Sequence, residues 1–214
     1  MQFLRELFQF FLHIDASLKQ LTATYGSWTY AILGLVVFCE TGLVITPFLP
    51  GDSLLFAAGA IAADPTAGLS PLVLYIVFTV VAILGDTVNY AIGARLGVKI
   101  FEWNIPFVKR AYLDRTNEFY AKHGAKMIVL ARFVPIVRTF APFAAGIANM
   151  DYKTFITYNV IGGVLWSTLF VWSGYFFGNL PFVQKNFELV ALAIVVISIL
   201  PVIYEWMQSR RKQA

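Results

Sequence analysis

Charge is scarce in this chain. Asp, Glu, Lys and Arg make up 13% of its 214 residues, where a water-soluble domain carries about 25%. So few polar groups cannot cover a water-facing surface, which excludes an ordinary soluble globular domain. With 59% hydrophobic residues and a mean hydropathy of +0.72, the composition is that of an all-α integral membrane protein folded as one bundle. Cysteine is sparser still. Cys39 stands alone in an apolar run, so no intramolecular disulfide can form and a small buried filler is its expected role. The two histidines, His13 and His123, are isolated, one on an amphipathic segment and one before Gly124 at a helix end. No metal site and no cofactor is expected. No basic run is interleaved with aromatics, which argues against a nucleic-acid groove. Neither histidine adjoins the arginines discussed below, and no zinc-protease or serine-nucleophile motif occurs, so an enzyme is not expected.

What the chain does have is long apolar stretches. A spanning helix needs about 20 mostly apolar residues, and 70–93, 154–178 and 187–207 meet that demand. At the N-terminus, Phe3, Leu7, Phe11, Ile14, Leu18 and Leu21 share one helical face opposite Arg5, Glu6, Gln9 and Lys19, which predicts an amphipathic interfacial helix over 1–24 rather than a signal peptide. Two further apolar regions are broken. Residues 28–63 are interrupted by "TPFLPGD", and residues 125–150 carry Pro135 and Pro142. Each arm is too short to cross, so both regions are predicted to be re-entrant hairpins. The tetrapeptide "FAAG" occurs at 56–59 and again at 143–146, which suggests a diverged internal repeat.

Positive charge orients the bundle. The segment 95–124 is rich in Lys and Arg, and the tail 208–214 adds Arg210, Arg211 and Lys212, so both are expected in the cytoplasm. The first hairpin then enters from outside and the second from inside, the layout of an inverted-repeat transporter with its substrate near the midplane.

The charges inside the apolar regions are the strongest functional signal. Glu40 and Asp52 lie in the first broken region, Arg132 and Arg138 in the second, and Asp86 interrupts the following span. A charge at the centre of a spanning helix costs about 2.5–3.5 kcal/mol. The bland reading is that the two arginines simply neutralise Glu40 and Asp52. The functional reading is an anion site in which Arg132 and Arg138 hold a phosphate while Glu40 and Asp52 carry protons. Glycines such as Gly51 would let backbone approach the ligand, and a helix start at Asp52-Ser53 would help to orient it. Asp86, Asn89 and Tyr90 share a helical face with Gly93, where interhelical hydrogen bonding competes with a transport role. Pro50, Pro135, Gly51, Asn89 and Thr139 complete the secondary candidates.

Four segments carry a family resemblance: "FCETGLVITPFLPGDSLLFAAG", "GDTVNYAIG", "FYAKHG" and "ARFVPIVRTFAPFAAG". With them the chain resembles the DedA family, the SNARE-associated or VTT-domain membrane proteins, over nearly its whole length. The resemblance implies a bacterial inner-membrane protein with two facing re-entrant hairpins, linked to envelope integrity, cell division and membrane potential. It implies a flippase of undecaprenyl phosphate linked to protons, with the family's functional residues falling at Glu40, Asp52, Arg132 and Arg138. Alternatives are a phospholipid scramblase, a proton-coupled antiporter of small cations, and a structural partner of envelope proteins. Whether the chain forms a homo-oligomer stays open.

Overall fold

The computed structural model describes residues 14–42, 51–96, 120, 124–178, 180–186, 189, 190 and 193. Among them there is no strand. Apolar segments in lipid must bond their own backbone, and the helix does this within a single segment. The helices are α1 (Ile14–Tyr25), α2 (Trp28–Gly42), α3 (Gly51–Ala62), α4 (Pro71–Leu96), α5 (Met127–Ala131), α6 (Pro135–Ile147), α7 (Tyr152–Phe177) and α8 (Pro181–Lys185). The predicted segments before residue 14 and over 97–119, the basic tail, Pro50, and nearly all of the stretch 187–207 lie outside the described residues.

Helices α4 and α7 run for 26 residues each, about 39 Å at 1.5 Å per residue, enough to cross a hydrocarbon core of about 30 Å. Leu72, Ile76, Val80, Leu84 and Val88 form an exposed apolar stripe at fourfold spacing down α4, and Val160, Ile161, Leu165, Leu169 and Phe176 are exposed on α7. Such stripes are liabilities in water and suit a lipid surface. By contrast, α2 has 15 residues and α3 has 12, both short of a crossing. Every residue of α3 is buried. The helix start expected at Asp52-Ser53 falls at Gly51, with Asp52 in the first turn.

Local chemistry sets the breaks. Gly26, at φ +51°, turns the chain between α1 and α2. Asp64 caps the turn Pro65–Ala67 by accepting from the Thr66 amide at 2.9 Å and its hydroxyl at 2.6 Å. Those bonds hold its carboxyl below the usual range. Pro135 stands at the start of α6, and the residue before it, Val134, is extended at φ −121°, ψ 104°. Pro142 behaves differently from the break predicted for it, because α6 continues through it. Its ring nitrogen cannot donate to the carbonyl of Arg138, yet the buried faces of Phe140, Ala141, Phe143, Ala144 and Ala145 keep the helix packed. Within α7, residues Thr168–Trp172 form a π-helical turn, an insertion that shifts the register of everything after it.

The chain forms two compact units. One comprises Met1–Leu35, Pro50–Phe78 and Ser167–Ala214, and the other Val36–Leu49 and Thr79–Trp166. In the first, α3 lies against the end of α7 so closely that a Cβ on Gly59 would collide with the carbonyl of Val171, and one on Gly174 with that of Phe56. In the second, α6 lies against the end of α4 in the same way. A Cβ on Gly146 would strike the carbonyl of Tyr90, and one on Gly93 that of Phe143. Both glycine pairs use the first and last letters of "FAAG" and a helix position three residues from its glycine, so the same backbone-on-backbone contact is built twice.

These contacts leave no room for a side chain. Gly174→Val and Gly93→Val are each expected to destabilise the detergent-solubilised protein by about 1–3 kcal/mol or more, read as an earlier thermal transition by circular dichroism. Val80→Leu, which adds bulk at an exposed position of α4, is the control and should move the transition far less.

Candidate functional site

All of the geometry that follows belongs to the second unit. Arg132 follows directly on α5, and its backbone N–H donates to Val129 at 3.3 Å. Pro135 ends that turn, and α6 carries Arg138 in its opening turn, where the Arg138 amide donates to Val134 at 2.9 Å. Short helix, proline-defined turn and short helix thus bring both arginines into one buried region. They are 3% and 7% exposed, so their charges need partners close by.

Each arginine has a carboxylate. Nη2 of Arg138 donates to Oε1 of Glu40, which is fully buried near the end of α2. Nη2 of Arg132 donates to Oδ2 of Asp86 in the middle of α4. The bland sequence reading paired the arginines with Glu40 and Asp52; Glu40 does meet Arg138, but the counter-ion of Arg132 is Asp86. Asp52 belongs to the other unit, buried at the start of α3 beside Gly51.

Two carboxamides brace these pairs. Asn159 of α7 is fully buried, and its Oδ1 accepts from Arg132 Nη2 at 2.6 Å. Its Nδ2 donates to the carbonyl of Ile83 at 3.0 Å and to the Thr87 hydroxyl at 3.3 Å. Arg132 is therefore tied to α4 twice, once by charge and once through α7. Asn89 of α4 donates from Nδ2 to the carbonyls of Thr41 at 3.2 Å and Thr139 at 2.7 Å. Those two residues follow Glu40 and Arg138 in sequence, so Asn89 holds together the backbones that carry that ion pair. Thr139 itself is fully buried. Tyr90, predicted on the same face, instead donates its hydroxyl to the carbonyl of Met150 and stacks on Phe155 with centroids 4.3 Å apart.

The indole of Trp166 lies next to both guanidiniums, with Arg132 Cζ 5.9 Å and Arg138 Cζ 5.6 Å from the ring centroid. Trp166 is 1% exposed. Asn159 and Trp166 were both missed by sequence reasoning. Asn159 carried a signal, a carboxamide inside an apolar span; Trp166 carried none, because a tryptophan in such a helix reads as filler.

The arrangement leaves specific groups unspent. Nε and Nη1 of Arg132 are buried and have no hydrogen-bond acceptor, and Oδ1 of Asn89 is a buried acceptor with no donor. Buried donors of a charged group are normally satisfied, and a guanidinium with open donors is suited to an oxyanion. Among the described residues no group of His, Cys, Asp and Glu is arranged to hold a metal ion.

Breaking a buried ion pair from one side costs about 3–5 kcal/mol, whereas replacing both partners by apolar groups is often neutral. Asp86→Ala is expected to destabilise the protein by about that amount in denaturant titration, and Asp86→Ala with Arg132→Met to recover most of it. A single Asp86→Ala variant as stable as the wild type would contradict the pairing.

Comparison with known proteins identifies the family. Residues 49–176 match the model of the VTT domain, a range that holds Asp52, Asp86, Arg132, Arg138, Asn159 and Trp166. The chain is 54% identical over 209 residues to Protein DedA of Escherichia coli strain K12, covering 97% of this chain and 95% of that protein. It is 43% identical over 178 residues to an uncharacterized membrane protein of Mycobacterium tuberculosis strain H37Rv, covering 83% and 78% of the two chains. The Inner membrane protein YqjA of Escherichia coli strain K12 is 29% identical over 177 residues, covering 82% and 79%. No solved structure matches. The chain belongs to the DedA family of VTT-domain membrane proteins.

Proposed function

We propose that this protein moves a phosphorylated lipid carrier across the bacterial inner membrane, undecaprenyl phosphate being the substrate that its family resemblance implies. Arg132 and Arg138 receive the phosphate headgroup, and Glu40 and Asp52 take up and release protons as the site changes exposure. The observation that carries this reading is Arg132, a buried guanidinium held to Asp86 and Asn159 through one nitrogen while Nε and Nη1 face no acceptor. A purely structural ion pair gains by spending every donor; an anion site needs donors in reserve.

The transport cycle follows from charge balance. Proton uptake by Glu40 weakens its hold on Arg138, which then offers more of its charge to the incoming phosphate. Loss of that proton restores the pair and favours release. In this scheme 28–63 and 125–150 act as re-entrant hairpins from opposite faces, with 95–124 and the tail 208–214 in the cytoplasm. The short lengths of α2, α3, α5 and α6 support it, as does the twice-built glycine contact of the two "FAAG" arms, which fits an inverted repeat. The name of the relative YqjA supports an inner-membrane location. The chemistry is binding and translocation, with no covalent step.

Reconstitution into liposomes carrying labelled undecaprenyl phosphate tests the reading. Protein-dependent movement of label between leaflets, faster with an imposed proton gradient, is the expected result. Arg132→Lys and Arg138→Lys, which keep the charge but lose the planar fork, are expected to slow it about tenfold or more with insertion unchanged. Equal rates with and without protein would overturn the proposal. Movement of neutral phospholipids at the same rate would reassign the protein as a scramblase.

A further inference from the structure

Two buried cations near one ring pose a physical problem. The guanidiniums of Arg132 and Arg138 both lie within 6 Å of the centroid of the Trp166 indole, so they cannot be farther apart than those two distances combined. Like charges at that range repel in a poorly hydrated interior. The carboxylate of Asp86 offsets the charge of Arg132 but does not fix its orientation. Arg132 meets both Asp86 and Asn159 through the single nitrogen Nη2, and a guanidinium held at one nitrogen can swing about it. A second constraint is needed if its remaining donors are to point consistently at a ligand.

We propose that Trp166 is that constraint: a positioning residue whose indole face holds both guanidiniums in register for one anion. The inference rests on the reading of Arg132 and Arg138 as the anion-binding pair. The negative face of an indole attracts a cation more strongly than any other aromatic ring, and the attraction grows as water is removed. Trp166 is among the largest fully buried side chains of the molecule, so water does not compete for its face. An indole that served only to fill volume would be surrounded by apolar groups, whereas this one lies beside the two arginines of the site. Because one rigid ring lies within 6 Å of both, an anion that draws either guanidinium toward itself does so against the same indole. The platform thus makes a single phosphate, bridging both arginines, the preferred occupant.

The test uses the full-length protein in nanodiscs with 15N-labelled arginine. The Nε–H proton signals of Arg132 and Arg138, assigned by Arg→Lys substitution, are expected upfield of the other arginines because of the indole ring current. Trp166→Phe should keep part of that shift and Trp166→Leu should abolish it. Affinity for geranyl monophosphate, a soluble isoprenyl phosphate, is expected to fall less than about threefold in Trp166→Phe and about tenfold or more in Trp166→Leu. Unshifted arginine signals in the wild type, or Trp166→Leu binding as tightly as the wild type, would overturn the platform. If Trp166→Leu does not fold, the wild-type and Trp166→Phe spectra decide, since the shift must be present in the first and reduced in the second. Shifted signals in a wild type that binds no phosphate would refute the anion site and with it the positioning role, leaving only the contact between ring and guanidiniums.

Discussion

A buried guanidinium is the constraint around which the second unit is organised. A charge in an apolar bundle is tolerated only beside an opposite charge and within hydrogen-bond reach of other polar groups. Arg132 and Arg138 meet that demand through Asp86 and Glu40, which fixes where α2, α4 and the α5–α6 turn stand within that unit. Asn89 and Asn159 then secure the backbones and side chains involved. Polar bracing of this kind is demanding, because a half-satisfied network is worse than an apolar one. Two donors of Arg132 nevertheless have no acceptor, and the proposed anion site rests on them.

Close helix contact makes such a network affordable in a small bundle. Lipid tails are as apolar as leucine, so helices in a membrane associate through tight packing rather than through burial from water. The Gly93–Phe143 and Gly146–Tyr90 contacts in one unit, and the Gly174–Phe56 and Gly59–Val171 contacts in the other, bring backbones into direct apposition. Where backbones lie this close, short side chains such as Asn89 reach carbonyls on two neighbouring segments at once. In the second unit, the "FAAG" arm at 143–146 and the small residues facing it are thus part of the same packing as the charged cluster.

Much of this was legible in the sequence, and the failures have physical causes. The apolar stretches over α4 and α7 stood out because a spanning helix has a length requirement and lipid permits few alternatives. The intramembrane charges stood out because each is expensive. Pro142 was misjudged: a proline removes one backbone donor, but whether a helix ends there depends on packing around it, and α6 is packed well enough to continue. Asp86 was read as a candidate for interhelical hydrogen bonding and does bond to another segment, but its own helix could not reveal which side chain arrives opposite it.

The sequence by itself determined the solvent this chain requires, the helical character that solvent imposes, and which residues are too costly to be idle. Those properties are local sums over composition and spacing, and they need no knowledge of neighbours. Tertiary structure alone decided the partnerships. Asp86 and Arg132 are 46 residues apart in sequence, and Glu40 and Arg138 are 98 apart; no local rule assigns one acid to one base over such separations. Helix packing does so by setting which side chains come within bonding distance. The same packing put an indole beside both arginines, turning a residue that sequence would read as filler into a neighbour of the site.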